Sequence, residues 1–319
     1  MKALIFVING QDGSYLAENL INKGYEVHGM IRRTAINNLI NIEHIKNDIE
    51  LHYGDLGDPI SIYNIITNVK PNEIYNEADQ DHAGISYKIP SYNFDVTGAA
   101  VGRILETIRI IDDKIKYFQP VTSNMFGKVI DSPQNEDTKF NPQNPYSCAK
   151  IFAYHLCQMY RQTYKMHICT GIFFNHESER RSEEYVTRKI TKSIARIKNG
   201  KQDKLFLGDL TASIDWGHSK EYMDAAWSIM QLKSPDDYVI GTGEAHTVQE
   251  FVDVAFDYAE LDPKKYVESS NSLLRPNSNS ILVADITKAK KAFGFEPKIK
   301  FHELIKLMVD NDLMLENND

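Results

Sequence analysis

Tyr146 and Lys150 are the pair of residues whose types and spacing most clearly suggest chemistry. They stand four apart at the start of a helical pattern, so they share one helix face. A tyrosine hydroxyl, with an ordinary pKa of ~10, is a poor base near neutrality. A neighbouring ammonium stabilises the phenolate, which can then take the proton of an alcohol while hydride leaves the same carbon. Thr122 closes an apolar strand-like run, where its hydroxyl can bridge a substrate oxygen and the tyrosine.

A hydride needs an acceptor, and the first residues offer a place for one. In IFVINGQDGSYLAENL, Gly10 and Gly13 lie at the join of a strand and a helix, where exposed N–H groups hold a pyrophosphate. Gly10, Asp12 and Gly13 are expected to face the cofactor there. An ordinary turn needing positive φ is the alternative for the glycines, but their position after the first strand of a βαβ unit supports the phosphate role. Arg32 and Arg33 follow the second strand, where an acidic residue would bind a ribose hydroxyl and arginines suit a 2′-phosphate; this points to NADP. A solvated basic pair is the alternative. Asp55 and Leu56, in GDLGD after the third strand, can frame an adenine ring.

These residues require a scaffold, and the chain supplies the pattern of one. Apolar runs at Ala3–Ile8, Val27–Ile31, Ile49–His52, Glu73–Tyr75, Tyr117–Val121 and His167–Phe174 read as strands. Helical patterns at Ser14–Lys23, Pro59–Val69, Val96–Ile111 and Pro145–Tyr164 alternate with them. That alternation predicts an α/β fold, a doubly wound Rossmann-type parallel sheet with helices on both faces. Near Asn175 the rhythm changes, which predicts a dinucleotide-binding domain over 1–174 and a smaller C-terminal substrate domain over 175–319, with segments near 204–242 returning to the first. The later elements are a basic helix at Val186–Lys198, a strand at LFLGD, an amphipathic stretch around Tyr222–Met230, a strand at YVIGTG, and helices at Thr247–Glu260, Thr287–Phe293 and Phe301–Leu315. Glu316 to Asp319 are expected to fray.

Taken together, GQDGSYLAE (10–18), GYEVHG with Arg32-Arg33, LHYGDL (51–56), NPYSCAK (144–150), GIFFNHES with Arg180-Arg181, VTRKIT (186–191), DWGH (215–218), LLRP (273–276) and DITKAKKAFGFEPK (285–298) resemble the GDP-mannose 4,6-dehydratase family of extended short-chain dehydrogenases/reductases. The resemblance runs from the first residues to about Leu313. It implies removal of water from GDP-mannose to a 4-keto-6-deoxy sugar nucleotide, with NADP reduced and reoxidised in one turnover. It implies catalytic roles for Thr122, Tyr146 and Lys150, and substrate contacts from Asn175, Lys189 and Arg275. It places Arg32 and Arg33 at the cofactor phosphate and His176 and Arg181 near the cofactor. It also implies a homodimer or homotetramer. Without it, VTRKITKSIARIK reads just as readily as a solvated basic helix face.

Four departures stand near the reaction centre. Val7 takes the place of the family's first turn glycine, and a β-branched residue avoids unusual backbone angles. The run Tyr75-Asn76-Glu77-Ala78-Asp79-Gln80-Asp81-His82 brings three carboxylates where the family has small or apolar residues, so repulsion of a pyrophosphate is expected. Ile214 replaces an arginine before DWGH. Asn124 replaces the glutamate that removes the C5 proton, and an amide is no base. Oxidation at C4 survives this last change on paper, while elimination suffers. Two other functions therefore stand beside the dehydratase: a C4 oxidoreductase or 4-epimerase on a nucleotide sugar, and a non-catalytic nucleotide-sugar binder.

The composition narrows the classes further. The chain has 319 residues, 42% hydrophobic and 25% charged, enough for a large core. A formal charge of −8 argues against nucleic acid as a general partner. Three cysteines, Cys148, Cys157 and Cys169, give no disulfide framework. The apolar N-terminal run is too short to span a membrane, and a cytoplasmic protein is expected. The ten histidines are scattered, so no metal site is expected.

Overall fold

The computed structural model describes residues 1–36, 38–129, 131–273 and 281–318. The strands, in chain order, are β1 (Lys2–Phe6), β2 (Glu26–Ile31), β3 (Ile49–Tyr53), β4 (Glu73–Asn76), β5 (Lys116–Thr122), β6 (Ile168–Phe173), β7 (Asn175–Glu177), β8 (Leu205–Leu207), β9 (Ser213–His218), β10 (Asp237–Ile240), β11 (Ala245–Thr247) and β12 (Val267–Ser269). Seven of them form one parallel sheet in the order β10-β6-β5-β4-β1-β2-β3. The order reverses between β1 and β4, where crevices open at the strands' C-terminal ends in such folds.

Both faces of this sheet are covered, which is why its strands read as continuous apolar runs. One face packs on the helices Gln11–Asn22 and Ser219–Met230 through Leu16, Leu20, Met223 and Ile229. The other packs on Pro59–Val69, Ala100–Ile111 and Pro145–Tyr164 through Ile62, Ile66, Ile104 and Cys157. A third core joins the helices Val186–Lys198, Val248–Tyr258 and Phe301–Asn318 around Trp216, Phe251 and Phe301. It lies behind a small sheet of β11, β9 and β7.

The structure departs from the sequence reading at identifiable places. YVIGTG, within the segment near 204–242 expected to return to the first domain, does join the sheet as a seventh strand, β10 beside β6; LFLGD in the same segment does not, and contributes β8, which pairs with β12 outside the sheet. The acidic end is helical to Asn318 rather than frayed, with Glu316 in a 3.0 Å ion pair with Lys201. Histidines that look scattered along the chain are brought to carboxylates by strand register: His28 lies opposite Glu50, and His52 is two residues further on the same face.

Candidate active site

The tyrosine helix, Pro145–Tyr164, starts where the sequence dictates. Asn144 accepts the Ser147 backbone N–H at 2.8 Å, Ser147 Oγ reaches back to the Asn144 N–H, and Pro145 occupies the first turn. This start sets Tyr146 and Lys150 beside the end of β5, and both are buried. Thr122, the last residue of β5, is buried with them. A cavity of about 870 Å³ is lined by Thr122, Asn124, Tyr146, Lys150, Asn175, His176, Arg181, Lys189 and Ile214. It is also lined by Gly10, Asp12, Gly13, Glu77, Asp79 and Asp81.

Within that cavity Lys150 does not serve Tyr146 as the sequence led one to expect. Its ammonium stands 2.6 Å from the Asp79 carboxylate and 2.8 Å from the Pro120 carbonyl oxygen. It lies 5.7 Å from the centre of the Tyr146 ring. Burial, then the carboxylates Asp79 and Asp81, push the Tyr146 hydroxyl well above its ordinary pKa; Thr122 works the other way. The phenol form therefore dominates here, with the Lys150 ammonium already paired to Asp79. Burial also holds the Glu77 carboxyl well above the usual carboxylate range.

Asn124 begins the loop after β5 and turns back on it. Its backbone N–H and side-chain amide both donate to Thr122 Oγ1, at 3.2 and 3.1 Å. An amide thus caps the hydroxyl beside the reacting position. The loop closes at Gly127, whose φ of 57° and whose Cβ position, 1.8 Å from the Asn141 carbonyl oxygen, admit no side chain.

The phosphate turn is tight and carries strain. Val7 sits at φ 58°, in the left-handed region that β-branched residues avoid. Its carbonyl accepts the Gly10 N–H at 3.1 Å. A Cβ on Gly13 would meet that carbonyl oxygen at 2.3 Å, so the helix Gln11–Asn22 can pack this close only with glycine there. Asp12, in the first helical turn, is turned inward: it bonds His176 Nε2 at 2.9 Å and Ser219 Oγ at 2.6 Å. Burial disfavours its charge, yet His176 and Ser219 hold its pKa down to about 2. Burial likewise opposes a charge on His176, but Asp12 outweighs it and raises the imidazole pKa. Asp12 and His176 therefore tie the phosphate turn to β7.

A second cavity, about 1090 Å³, adjoins the first and is lined by Gly10, Met30, Arg32, Gly54, Asp55, Leu56, Ala78 and Gln80. Arg32 enters it, hydrogen-bonded to the Tyr92 hydroxyl at 3.0 Å. Arg33 is not among its lining residues and bonds the Thr34 carbonyl instead. Arg181 lies between the two cavities, 3.3 Å from Glu177, 3.5 Å from Asp81 and 3.4 Å above the Tyr185 ring. Lys189 donates to the Phe206 carbonyl at 2.7 Å with its face toward the first cavity. Arg275 lies outside the described residues. Sequence reasoning missed Tyr185 and Glu177, which position Arg181; their only signal is spacing from that arginine.

A parallel sheet of this order, with a buried Tyr-x-x-x-Lys beside a strand-end threonine and a glycine turn at the first helix, defines an extended short-chain dehydrogenase/reductase. The family model for GDP-mannose 4,6 dehydratase matches residues 4–308. "GDP-mannose 4,6 dehydratase 1" of Arabidopsis thaliana is 46% identical over 99% of this chain and 91% of its own length. The Homo sapiens GDP-mannose 4,6 dehydratase is 40% identical over 98% of this chain and 91% of its own. The chain belongs to the GDP-mannose 4,6 dehydratase family. Its fold is also that of dTDP-glucose 4,6-dehydratase from Bacillus anthracis, a complex with NAD, at a TM-score of 0.87 and 20% identity over 99% of this chain and 98% of that one.

The residues present fit a dinucleotide at its phosphate and adenosine end. The turn is closed tightly at Gly13, where a Cβ would strike the Val7 carbonyl oxygen, and Gly10 lines the second cavity together with Arg32, Asp55 and Leu56. At the Tyr146 end the Lys150 ammonium is already paired with Asp79.

Proposed function

We propose that this protein is a nucleotide-sugar 4,6-dehydratase acting on GDP-mannose, with NADP as its cofactor. The match to one dehydratase family over residues 4–308, with Thr122, Tyr146 and Lys150 on one cavity, carries this reading. NADP, when bound, supplies the acceptor and donor of hydride at C4. Arg32 would hold its 2′-phosphate, the turn of Gly10, Asp12 and Gly13 its pyrophosphate, and Asp55 and Leu56 its adenine.

Thr122 and Tyr146 hold the sugar's C4 hydroxyl, and Tyr146 exchanges its proton. Lys150 stands on the same helix face beside that tyrosine, with its charge balanced by Asp79. Asn175 and Lys189 bind the GDP moiety, with Arg275 as a further contact implied by sequence. His176 and Arg181 position the wall between the two cavities. No described helix is long and apolar enough to cross a membrane. A cytoplasmic homodimer or homotetramer completes the proposal. Incubation with GDP-mannose and NADP, followed by mass analysis, should show a product lighter by one water.

One observation favours a second reading. With an amide at 124, the same site suits redox chemistry at C4 of a nucleotide sugar better than loss of water. In that case no water is lost: either a 4-keto sugar two mass units lighter forms with one NADPH per product, or the mass is unchanged and chromatography separates a 4-epimer from the substrate.

A further inference from the structure

Away from both cavities, the β2–β3 ladder builds a compact group of metal-ligating side chains. Parallel pairing sets His28 opposite Glu50 and Met30 opposite His52. Side chains alternate along a strand, so His28, Glu50 and His52 fall on one face of the sheet. Their ligand atoms lie within 4.8 Å of one another. His28 Nδ1 is 3.0 Å from His52 Nε2, Glu50 Oε2 approaches His28 Nδ1 to 3.6 Å, and Glu50 Oε1 approaches His52 Nε2 to 3.8 Å, one carboxylate oxygen toward each imidazole. None of the three lines either cavity.

The other nitrogen of His28 decides what this group can bind. His28 Nε2 lies 3.1 Å from Glu26, which is itself held by Lys2 at 2.8 Å. A carboxylate accepting Nε2–H fixes the tautomer that leaves the Nδ1 lone pair facing His52 and Glu50. That is the arrangement that orients metal-bound histidines. Metal–ligand bonds of about 2.0–2.2 Å in a tetrahedral site put neighbouring ligand atoms roughly 3.3–3.6 Å apart. The observed separations of 3.0, 3.6 and 3.8 Å straddle that distance, so shifts of a few tenths of an ångström suffice. His28 is buried while Glu50 is largely exposed, so one side rests on the sheet and the other opens to water for a fourth ligand.

We propose that His28, His52 and Glu50 bind a divalent transition cation, Zn²⁺ in the first instance, with Glu26 as the orienting carboxylate. Two imidazoles and one carboxylate suit this borderline ion better than Mg²⁺ or Ca²⁺, which take oxygen ligands. The ion would clip β3, the outermost strand, to β2. The site does not depend on the dehydratase reading, and its test does not use activity.

The experiment is titration of the chelator-treated full chain with Zn²⁺ alone, followed by calorimetry and thermal melting. One equivalent should bind, melting should rise, and excess Mg²⁺ should not displace it. Glu50→Gln, at an exposed position, should weaken binding at least tenfold. His52→Ala should do so more strongly. X-ray absorption of the loaded protein should show nitrogen and oxygen neighbours only. Absence of saturable binding, or binding unchanged in Glu50→Gln and His52→Ala, overturns the proposal; the histidines are then simply hydrogen-bonded to each other.

Discussion

Lys150 and Asp79 form an ion pair, 2.6 Å apart, inside the cavity that holds Tyr146, with side chains only 4% and 12% exposed. Two opposite charges this close leave little field at a third group, so the lysine no longer eases ionisation of the tyrosine. Asp79→Asn should release it. The Tyr146 pKa should fall, and the limb of the pH–kcat/KM profile that reports the phenolate should move to lower pH. Cofactor affinity, measured by titration, should rise in the same variant. An unmoved limb would show that another group sets the proton balance.

Asn124→Glu should raise formation of the 4-keto-6-deoxy product. Proton transfer by a positioned side chain is worth ~10²–10⁴-fold, and position 124 has only an amide beside Thr122. Solvent deuterium exchange at C5 reads the base directly. Tyr146→Phe should abolish both oxidation and elimination. Full-speed water loss by the unaltered protein would place the base elsewhere in the cavity.

Arg32→Ala should weaken NADP by about 1.5–3 kcal/mol, the range for a hydrogen bond to a charged group, and leave NAD nearly untouched. Arg33→Ala should do neither, since its guanidinium bonds Thr34 and does not line the cavity. Parallel titrations with both dinucleotides separate the two arginines.

Val7→Gly should tighten dinucleotide binding. The left-handed backbone at φ 58° strains valine by about 1–2 kcal/mol, which glycine avoids at a similar loss of chain entropy. Stability by thermal melting should therefore change little while affinity rises. Unchanged or weaker binding would mean that the Val7 side chain supports the turn rather than crowding it.

The Asp12–His176 pair should make stability depend on pH at both ends. The Asp12 pKa, lowered to about 2, gives stability that is present above its ordinary value and lost as pH falls toward 2. The raised His176 pKa gives stability that is present below its ordinary value and lost as pH rises through the folded value. His176→Gln should flatten both sides of that profile in denaturant titrations, because His176 is the chief group lowering the Asp12 pKa and only Ser219 and the Arg181 charge are left to hold it down.

Local pattern revealed much of this molecule. Strand and helix alternation, the Asn144-Pro145 helix start and the spacing of Tyr146 and Lys150 are read from neighbours in the chain, and the structure forms those elements nearly where the pattern puts them. What depends on contact across the chain was not legible. Asp79 was read as a charge facing a pyrophosphate, because nothing near it shows that Lys150 comes within 2.6 Å. Val7 was legible as an obstruction, but its φ was not. The grouping of His28, Glu50 and His52 depends on the β2–β3 register, which no spacing within either strand displays.

The placement of β10 bears on how the chain is made. β6 has six buried residues, and the strand that flanks it on the outside comes only with Asp237–Ile240. During synthesis the ribosome delivers β6 well before its partner, so an apolar edge with unpaired N–H and C=O groups stands open meanwhile. Such an edge recruits other strands, including those of neighbouring nascent chains. Premature termination before Asp237 thus yields a sticky fragment rather than a small stable domain, and yield in cells will follow elongation speed and chaperone supply over that interval.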